Sequence, residues 1–249
     1  MIKKNILFFS LFIVFLAQSQ NLYIKYTYVN PVNFIIQEDL YVSGNRALSI
    51  RDSIMSKKDK NRLNVDGNNV GILGKATKQK TKYYKSSLDN ILIINEYIGN
   101  NSYWMTDQLP KTVWNTNYKE TKEVGGYLCK KATTTFRGSQ MTAYYAPDLP
   151  FAFGPYKFSG LSGVILEITE DNNSVNSWKA ELIETNVSEK PELTPPNKKT
   201  ISYQEFIALQ EEKDLEEVKR LTSNLPKGSA INIEPTERTA VEKKYEWEH

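Results

Sequence analysis

Gly163-Val164-Ile165-Leu166-Glu167-Ile168-Thr169-Glu170 and, after a short break, Asn176-Ser177-Trp178-Lys179-Ala180-Glu181-Leu182 are the stretches from which the fold is read. Successive side chains of an extended strand point to opposite sides, so Val164, Leu166 and Ile168 share one face. Trp178, Ala180 and Leu182 answer from the partner strand across a turn-rich break at Glu170 to Asn173. Working back from this pair, the whole run from Glu120 to Val187 reads as four strand-like segments. Its other breaks fall near Arg137-Gly138-Ser139 and from Ala146 to Gly163.

The same rhythm recurs upstream. Leu22, Ile24, Tyr26 and Tyr28 lie on one face with Lys25 and Thr27 on the other, which predicts a first strand. Phe34 to Val42 and Arg46 to Ile54 carry weaker versions of the pattern. Ile91 to Tyr97 and Tyr103 to Met105 pair across Gly99-Asn100-Asn101, a turn-prone cluster. Residues 56–85 interrupt the alternation. Ser56 to Asn64 is highly charged, and Lys75, Lys78, Lys80, Lys82 and Lys85 follow with no acid between them. Such a run predicts a solvated loop; the competing reading, with Tyr83 and Tyr84 at its end, is a surface for anionic headgroups or polyanionic sugar.

The last fifth of the chain changes character. Pro191, Pro195 and Pro196 with Asn197-Lys198-Lys199 predict a linker or an extended crossing segment. Ser202-Tyr203-Gln204-Glu205 matches the capping box, in which a hydroxyl and a carboxylate satisfy free backbone donors at a helix start. Phe206, Leu209, Leu215, Val218 and Leu221 then form an apolar stripe, which predicts a helix at about 202–224. Residues 230–249 mix charges with isolated apolar positions and read as a further strand or a loose tail.

The opening residues have the pattern of an export signal. Lys3 and Lys4 precede an apolar run from Ile6 to Leu16, shorter than the ~20 residues that span a bilayer. Ala17-Gln18-Ser19 supplies small residues at the −3 and −1 positions of a cleavage site. Residues 1–19 are thus expected to be removed, leaving 20–249 as a single β-rich domain. Gln20, and not a cysteine, becomes the first residue, so lipid attachment there has no acceptor. No later stretch is apolar enough to span a membrane. The expected location is the periplasm or outer-membrane periphery of a Gram-negative cell. The formal net charge of +3 falls further once Lys3 and Lys4 are lost, which argues against nucleic acid as a partner.

Catalytic machinery is scarce. The single histidine is His249, the terminal residue, which removes Ser-His-Asp and Cys-His arrangements and histidine-based zinc sites. The single cysteine, Cys129, makes neither an intrachain disulfide nor a thiolate metal cluster and reads as a small core residue. No metal or cofactor is implied. A carboxylate pair is the one chemistry left open, with Asp107, Asp148 and Glu167 as candidate acid and base.

From Asp107 to Ile168 the chain resembles the GLPGLI family of exported proteins. The naming motif stands as Gly160-Leu161-Ser162-Gly163-Val164-Ile165 and continues into Leu166-Glu167-Ile168. Before it, in the family's order, come Leu109-Pro110, Trp114, Glu120-Thr121-Lys122, Gly126-Tyr127 and Cys129. Lys131-Ala132-Thr133, Phe136-Arg137-Gly138, Ala143, Pro147, Pro150, Gly154-Pro155 and Lys157-Phe158 complete the series. Ser162 replaces the family's usual proline, Val164 a leucine, and Tyr144 a frequent tryptophan. The resemblance implies a curved, mainly antiparallel sheet, and a setting beside outer-membrane β-barrel transport proteins. In shape more than in sequence it is also similar to periplasmic lipoprotein carriers that cradle acyl chains on a half-open sheet.

These readings converge on a mainly β (α+β) protein, a curved antiparallel sheet or half-barrel with one C-terminal helix. Phe151-Ala152-Phe153-Gly154-Pro155-Tyr156-Lys157-Phe158 is its most unusual segment, with aromatics set between glycine and proline. In one reading it plugs an end of the core, with Gly154, Pro155, Gly160, Leu161 and Gly163 building the corner. In the other, Phe151, Phe153, Tyr156 and Phe158 line a groove for an apolar ligand such as a lipid or peptide. The expected function is an envelope binding or accessory protein that assists an outer-membrane transport or assembly system. It would hold that ligand or dock on an outer-membrane β-barrel protein. The alternative is a carboxylate-dependent hydrolase acting on envelope polysaccharide.

Overall fold

The computed structural model describes residues 21–30, 35–57, 63–66, 69–72, 75–108, 111–171, 176–223, 238 and 240–248. The expected export signal, part of the charged stretch at 56–64, Leu109-Pro110, the predicted helix end at 224 and His249 lie outside them. In chain order the first strands are β1 (Asn21–Val29), β2 (Ile35–Ser43), β3 (Arg46–Lys57), β4 (Leu63–Asp66) and β5 (Asn69–Ile72). There follow β6 (Lys75–Ser86), β7 (Ile91–Ile98), β8 (Asn101–Gln108), β9 (Thr121–Val124), β10 (Tyr127–Phe136) and β11 (Ser139–Ala146). The last elements are β12 (Val164–Glu170), β13 (Ser177–Thr185), β14 (Ile201–Ser202) and a helix, α1 (Tyr203–Ser223). β4 and β5 pair only with each other; the remaining strands form one curved, open 12-stranded sheet in the order β14-β8-β7-β6-β3-β2-β1-β13-β12-β11-β10-β9. Its ladders are antiparallel except for the short parallel β14–β8 pair. The predicted β-rich class with a single C-terminal helix is therefore the observed one.

Alternation carries the core as expected. Leu22, Ile24, Tyr26 and Tyr28 are buried while Tyr23, Lys25 and Thr27 are half-buried on the other face. Ile168 stands opposite Trp178, both buried. Leu182 departs from its expected face and is 42% exposed. A register shift explains it: Lys25 pairs with Leu182 but Tyr26 pairs with Ala180, so Glu181 is an extra residue and the phase reverses.

Three pieces fill the inner face of the sheet. The segment after β11 contributes Leu149, Phe153, Tyr156, Phe158 and Leu161; the first turn of α1 contributes Tyr203 and Phe206; and residues 240–248 contribute Val241 and Tyr245. On the opposite face, Leu193 of the proline-bearing segment packs with Leu48 and Tyr84, so this stretch is a crossing segment. The Glu205 N–H donates to Ser202 Oγ at 3.1 Å, the hydroxyl half of the predicted capping box. Ser202→Ala is expected to cost about 1 kcal/mol in denaturant unfolding. An unchanged midpoint would mean that packing of Tyr203 and Phe206 alone holds the helix start.

Two expectations are corrected. The lysine-rich run at 75–85 is strand β6, paired along its length with β3, rather than a loop. The lysines were misleading because Lys80 and Lys82 sit on the outer face, with Lys80 3.4 Å from Asp52, while Thr81, Tyr83 and Lys85 of the other phase are buried. Residues 240–248 are neither strand nor loose tail. The Lys243 and Lys244 N–H groups donate to the Arg137 carbonyl at 2.8 and 3.0 Å, and Val241, Glu242 and Tyr245 are buried.

Candidate functional site

Arg137 and Gly138 turn the β10–β11 hairpin, both with positive φ (44° and 88°), as a tight two-residue turn requires. This backbone aims the Arg137 side chain inward. Its guanidinium donates to both carboxylate oxygens of Asp107 at 2.8 and 3.0 Å, to Glu246 at 3.0 Å, and to Glu242. Lys157 Nζ donates to Asp107 at 2.7 Å and to Glu242 at 2.9 and 3.0 Å. The Tyr203 hydroxyl donates to Glu242 at 2.6 Å. Rings of Tyr203, Tyr245 and Trp247 surround the guanidinium, with centroids 5.3–5.9 Å from Arg137 Cζ. Burial alone would raise the Glu242 carboxyl, but Lys157, Arg137 and the Tyr203 hydrogen bond outweigh it and hold the group down at about 2. The cluster ties together β8, the β10–β11 turn, the segment after β11, α1 and residues 240–248. Its charges are mutually satisfied.

Beside this cluster lies a cavity of about 320 Å³ between the inner face of the sheet, α1 and residues 240–245. Strand register explains which polar groups reach it. Glu38, Arg51 and Thr81 are successive partners across β2, β3 and β6. Glu96 comes one step after the Lys82–Asn95 pair and continues the row on β7. Glu38 is fully buried and engaged, accepting the Tyr156 N–H at 2.5 Å and the Trp178 indole N–H at 2.9 Å. Arg51 and Glu96 both line the cavity and are half-buried. The Arg51 guanidinium lies against Tyr28, Tyr83 and Tyr156, 5.3–5.7 Å from their ring centroids. Burial raises the Glu96 carboxyl, opposed by Arg51 and Lys157. Among the described residues, no hydrogen bond joins Arg51, Glu96 or the Tyr83 hydroxyl to a neighbour, and Arg51 and Glu96 form no ion pair with each other.

The aromatic segment contributes unevenly. Tyr156, with φ +51°, lines the cavity, stacks on Trp178 at 5.7 Å and meets Tyr83 edge-on at 5.2 Å. Phe158 is fully buried against Phe136 and Trp178, and Phe153 is 2% exposed. Phe151 is half-buried and packs on the core. Phe153 borders a second cavity of about 180 Å³, with Lys85, Asp89, Lys111 and Gly160. Gly154, Pro155, Leu161 and Gly163 are buried, whereas Gly160 is exposed.

Lys85 Nζ donates to the Gly154 carbonyl at 2.5 Å and to Ser49 Oγ at 3.1 Å, and burial pushes its ammonium down to about 7 despite Glu38. The pair has the composition of a serine–lysine nucleophile. However, Ser49 is fully buried and is no part of the adjoining cavity wall, so the contact serves to hold the 154 corner on the sheet. The candidate carboxylates do not converge. Asp107 is committed to Arg137 and Lys157, Glu167 to Lys122 at 2.5 Å, and Asp148 is exposed. Cys129 is buried and its thiol is pushed up to about 11, chiefly by burial, which leaves it unreactive.

Comparison with known proteins adds a fold likeness. No protein-family model matches the chain, and no curated protein matches it in sequence. Among solved structures, PNGF-II is similar in its C2 crystal form with a TM-score of 0.52 at 15% identity, and in its P21 form with 0.53 at 13%. Each match covers 78% of this chain but 33% and 34% of PNGF-II, so the chain spans about a third of that protein's length. At this identity the likeness concerns the fold alone.

Proposed function

We propose that this chain is an exported envelope protein that binds a small ligand in the 320 Å³ cavity between its sheet, α1 and residues 240–245. One observation carries the reading: Arg51 and Glu96 face the same space without a hydrogen-bond partner among the described residues, while the ionic cluster beside them is fully paired. Both side chains are half-buried on the cavity wall, so a group entering the cavity can make the charge-assisted hydrogen bonds that the protein does not. A fold that satisfies Arg137, Lys157, Asp107 and Glu242 so completely, and leaves these two open, has the arrangement of a binding site. The volume is modest but within the usual range for small molecules, about 300–1,000 Å³.

The export signal and the resemblance to GLPGLI proteins support the location, in the periplasm or at the outer-membrane periphery. They also support an outer-membrane barrel protein as the partner that delivers or receives the ligand. Of the aromatic segment, Tyr156 lines the cavity, while Phe153 and Phe158 are committed to packing. Native mass spectrometry on full-length protein purified gently from the envelope fraction tests the proposal. The expected spectrum shows added mass that disappears on denaturation and is absent from Arg51→Gln and Glu96→Gln. A bare polypeptide mass in the unaltered protein, with no added mass after incubation with an envelope small-molecule extract, would overturn it.

A further inference from the structure

We infer that the occupant of this cavity is a small zwitterion, a free amino acid or a molecule of dipeptide size, with its carboxylate on Arg51 and its ammonium on Glu96; the inference rests on the binding role proposed above. Charge balance is the first argument. The other ionic groups at the wall are already matched: Glu242 by Lys157 and Arg137, and Asp52 by Lys80. One cation and one anion are left open. Arg51 and Glu96 act on each other electrostatically, so a ligand of a single sign would be drawn to one and repelled by the other, whereas a ligand carrying both charges is favoured at both ends.

Geometry is the second argument. Arg51 on β3 and Glu96 on β7 are separated by β6, and strands lie about 4.8 Å apart, so their backbones are about 10 Å from each other. Side chains rising from those positions leave a gap that a compact group with both charges bridges. The tyrosines packed around Arg51 fix the plane of its guanidinium, and a fixed fork favours the two parallel hydrogen bonds of a carboxylate. Around this polar end, Ile36, Phe206, Ile207 and Val241 supply an apolar wall for a side chain.

The lining also disfavours a sugar. Carbohydrate rings need an open aromatic face, and here the faces are taken: Trp178 stacks on Tyr28 at 4.2 Å and on Tyr156 at 5.7 Å, and Arg51 lies over Tyr83. The cavity volume of about 320 Å³ is enough for an amino acid or a dipeptide and too little for a polypeptide.

The test uses the full-length protein and the free protein amino acids with leucyl-leucine, ranked by thermal shift and then titrated calorimetrically. The best probe is compared with its decarboxylated amine and its deaminated acid. The expected result is that both single-charge analogues bind at least about tenfold more weakly, a difference of about 1.4 kcal/mol. Arg51→Gln should weaken the zwitterion about tenfold or more while leaving the amine unchanged. Glu96→Gln should show the mirror pattern with the acid. Arg51→Lys, which keeps the charge but loses the fork, guards against a simple folding defect. Equal binding of an analogue, or a co-purified mass that no probe displaces, overturns the ligand class and leaves the binding role standing. No probe binding together with no co-purified mass overturns both.

Discussion

Changing Glu242 to glutamine lowers the unfolding free energy by about 3 kcal/mol at neutral pH, an expected loss of the size seen when one partner of a buried ion pair is removed. The substitution preserves volume, so packing is not the cause. It leaves Lys157 and Arg137 inside the protein with Asp107 as their only fully buried anionic partner among the described residues, because the Glu246 side chain is 39% exposed. The effect has a pH signature. The Glu242 carboxyl is held at about 2 in the folded protein, below the ~4.3 of an unfolded glutamate. Between those values the unfolded chain binds more protons, so stability falls as pH falls through that window. The contribution is complete above about pH 4.5 and is lost toward pH 2, again about 3 kcal/mol. Urea unfolding at several pH values between 2 and 7 reads both quantities. A variant with the parent's midpoint at pH 7, or with the parent's acid slope, would show that the cluster contributes no such stability.

Gly163→Ala is the second large effect, and its origin is purely steric. A Cβ at this position would lie 2.2 Å from the Ala146 carbonyl oxygen, 2.6 Å from its carbon and 2.9 Å from Pro147 Cα. All of these atoms are backbone, and none is free to yield. The Ala146 oxygen accepts the Leu149 N–H at 3.1 Å, Val164 donates to the Leu149 carbonyl at 3.0 Å, and Ala146 pairs with Val164 across the ladder. The expected cost is about 3 kcal/mol or more, read from the denaturation midpoint and from loss of protection in the 147–163 segment. Gly160 differs in kind. Trp114 Nε1 would be 3.7 Å from an added Cβ, so there is room, but φ is +97°; Gly160→Ala should therefore cost less, about 1–2 kcal/mol. Equal losses at the two sites would contradict this division between contact and conformation.

The sheet was legible because strands buried on one face write their period into the chain. Leu22 to Tyr28 and Val164 to Ile168 show it without help from neighbours. β6 was obscured because charge on its outer face masks the buried phase, Thr81, Tyr83 and Lys85. The docking of residues 240–248 could not be read because it depends on a partner, Arg137, far away in sequence. The polar wall of the cavity left a signal that composition alone conceals. Glu38 is in phase with Leu40 and Val42, Arg51 with Ala47 and Ser49, and Glu96 with Leu92 and Ile94. A charge at an inward position of a strand marks either a buried network or a site. Only the three-dimensional arrangement separates Glu38, which is engaged, from Arg51 and Glu96, which are open.

The strand order also governs when the molecule can be completed. β1 occupies the middle of the sheet between β2 and β13, with Leu22 opposite Thr185 and Tyr28 opposite Trp178. Apart from β14, added at the edge on β8, the sheet is thus two sequence-local blocks, β1 to β3 with β6 to β8 and β9 to β13, joined by one seam between the earliest strand and one of the latest. Until Ser177–Thr185 arrives, β1 is an unpaired edge with an apolar inner face, a template for pairing with any other chain. Such long-range closure is slow, in the range of milliseconds to seconds for β-rich domains, and it exposes the intermediate to aggregation as concentration rises. Crowded, unchaperoned refolding is the regime in which this architecture fails, and its weak point is a strand that lies at the centre of the finished protein.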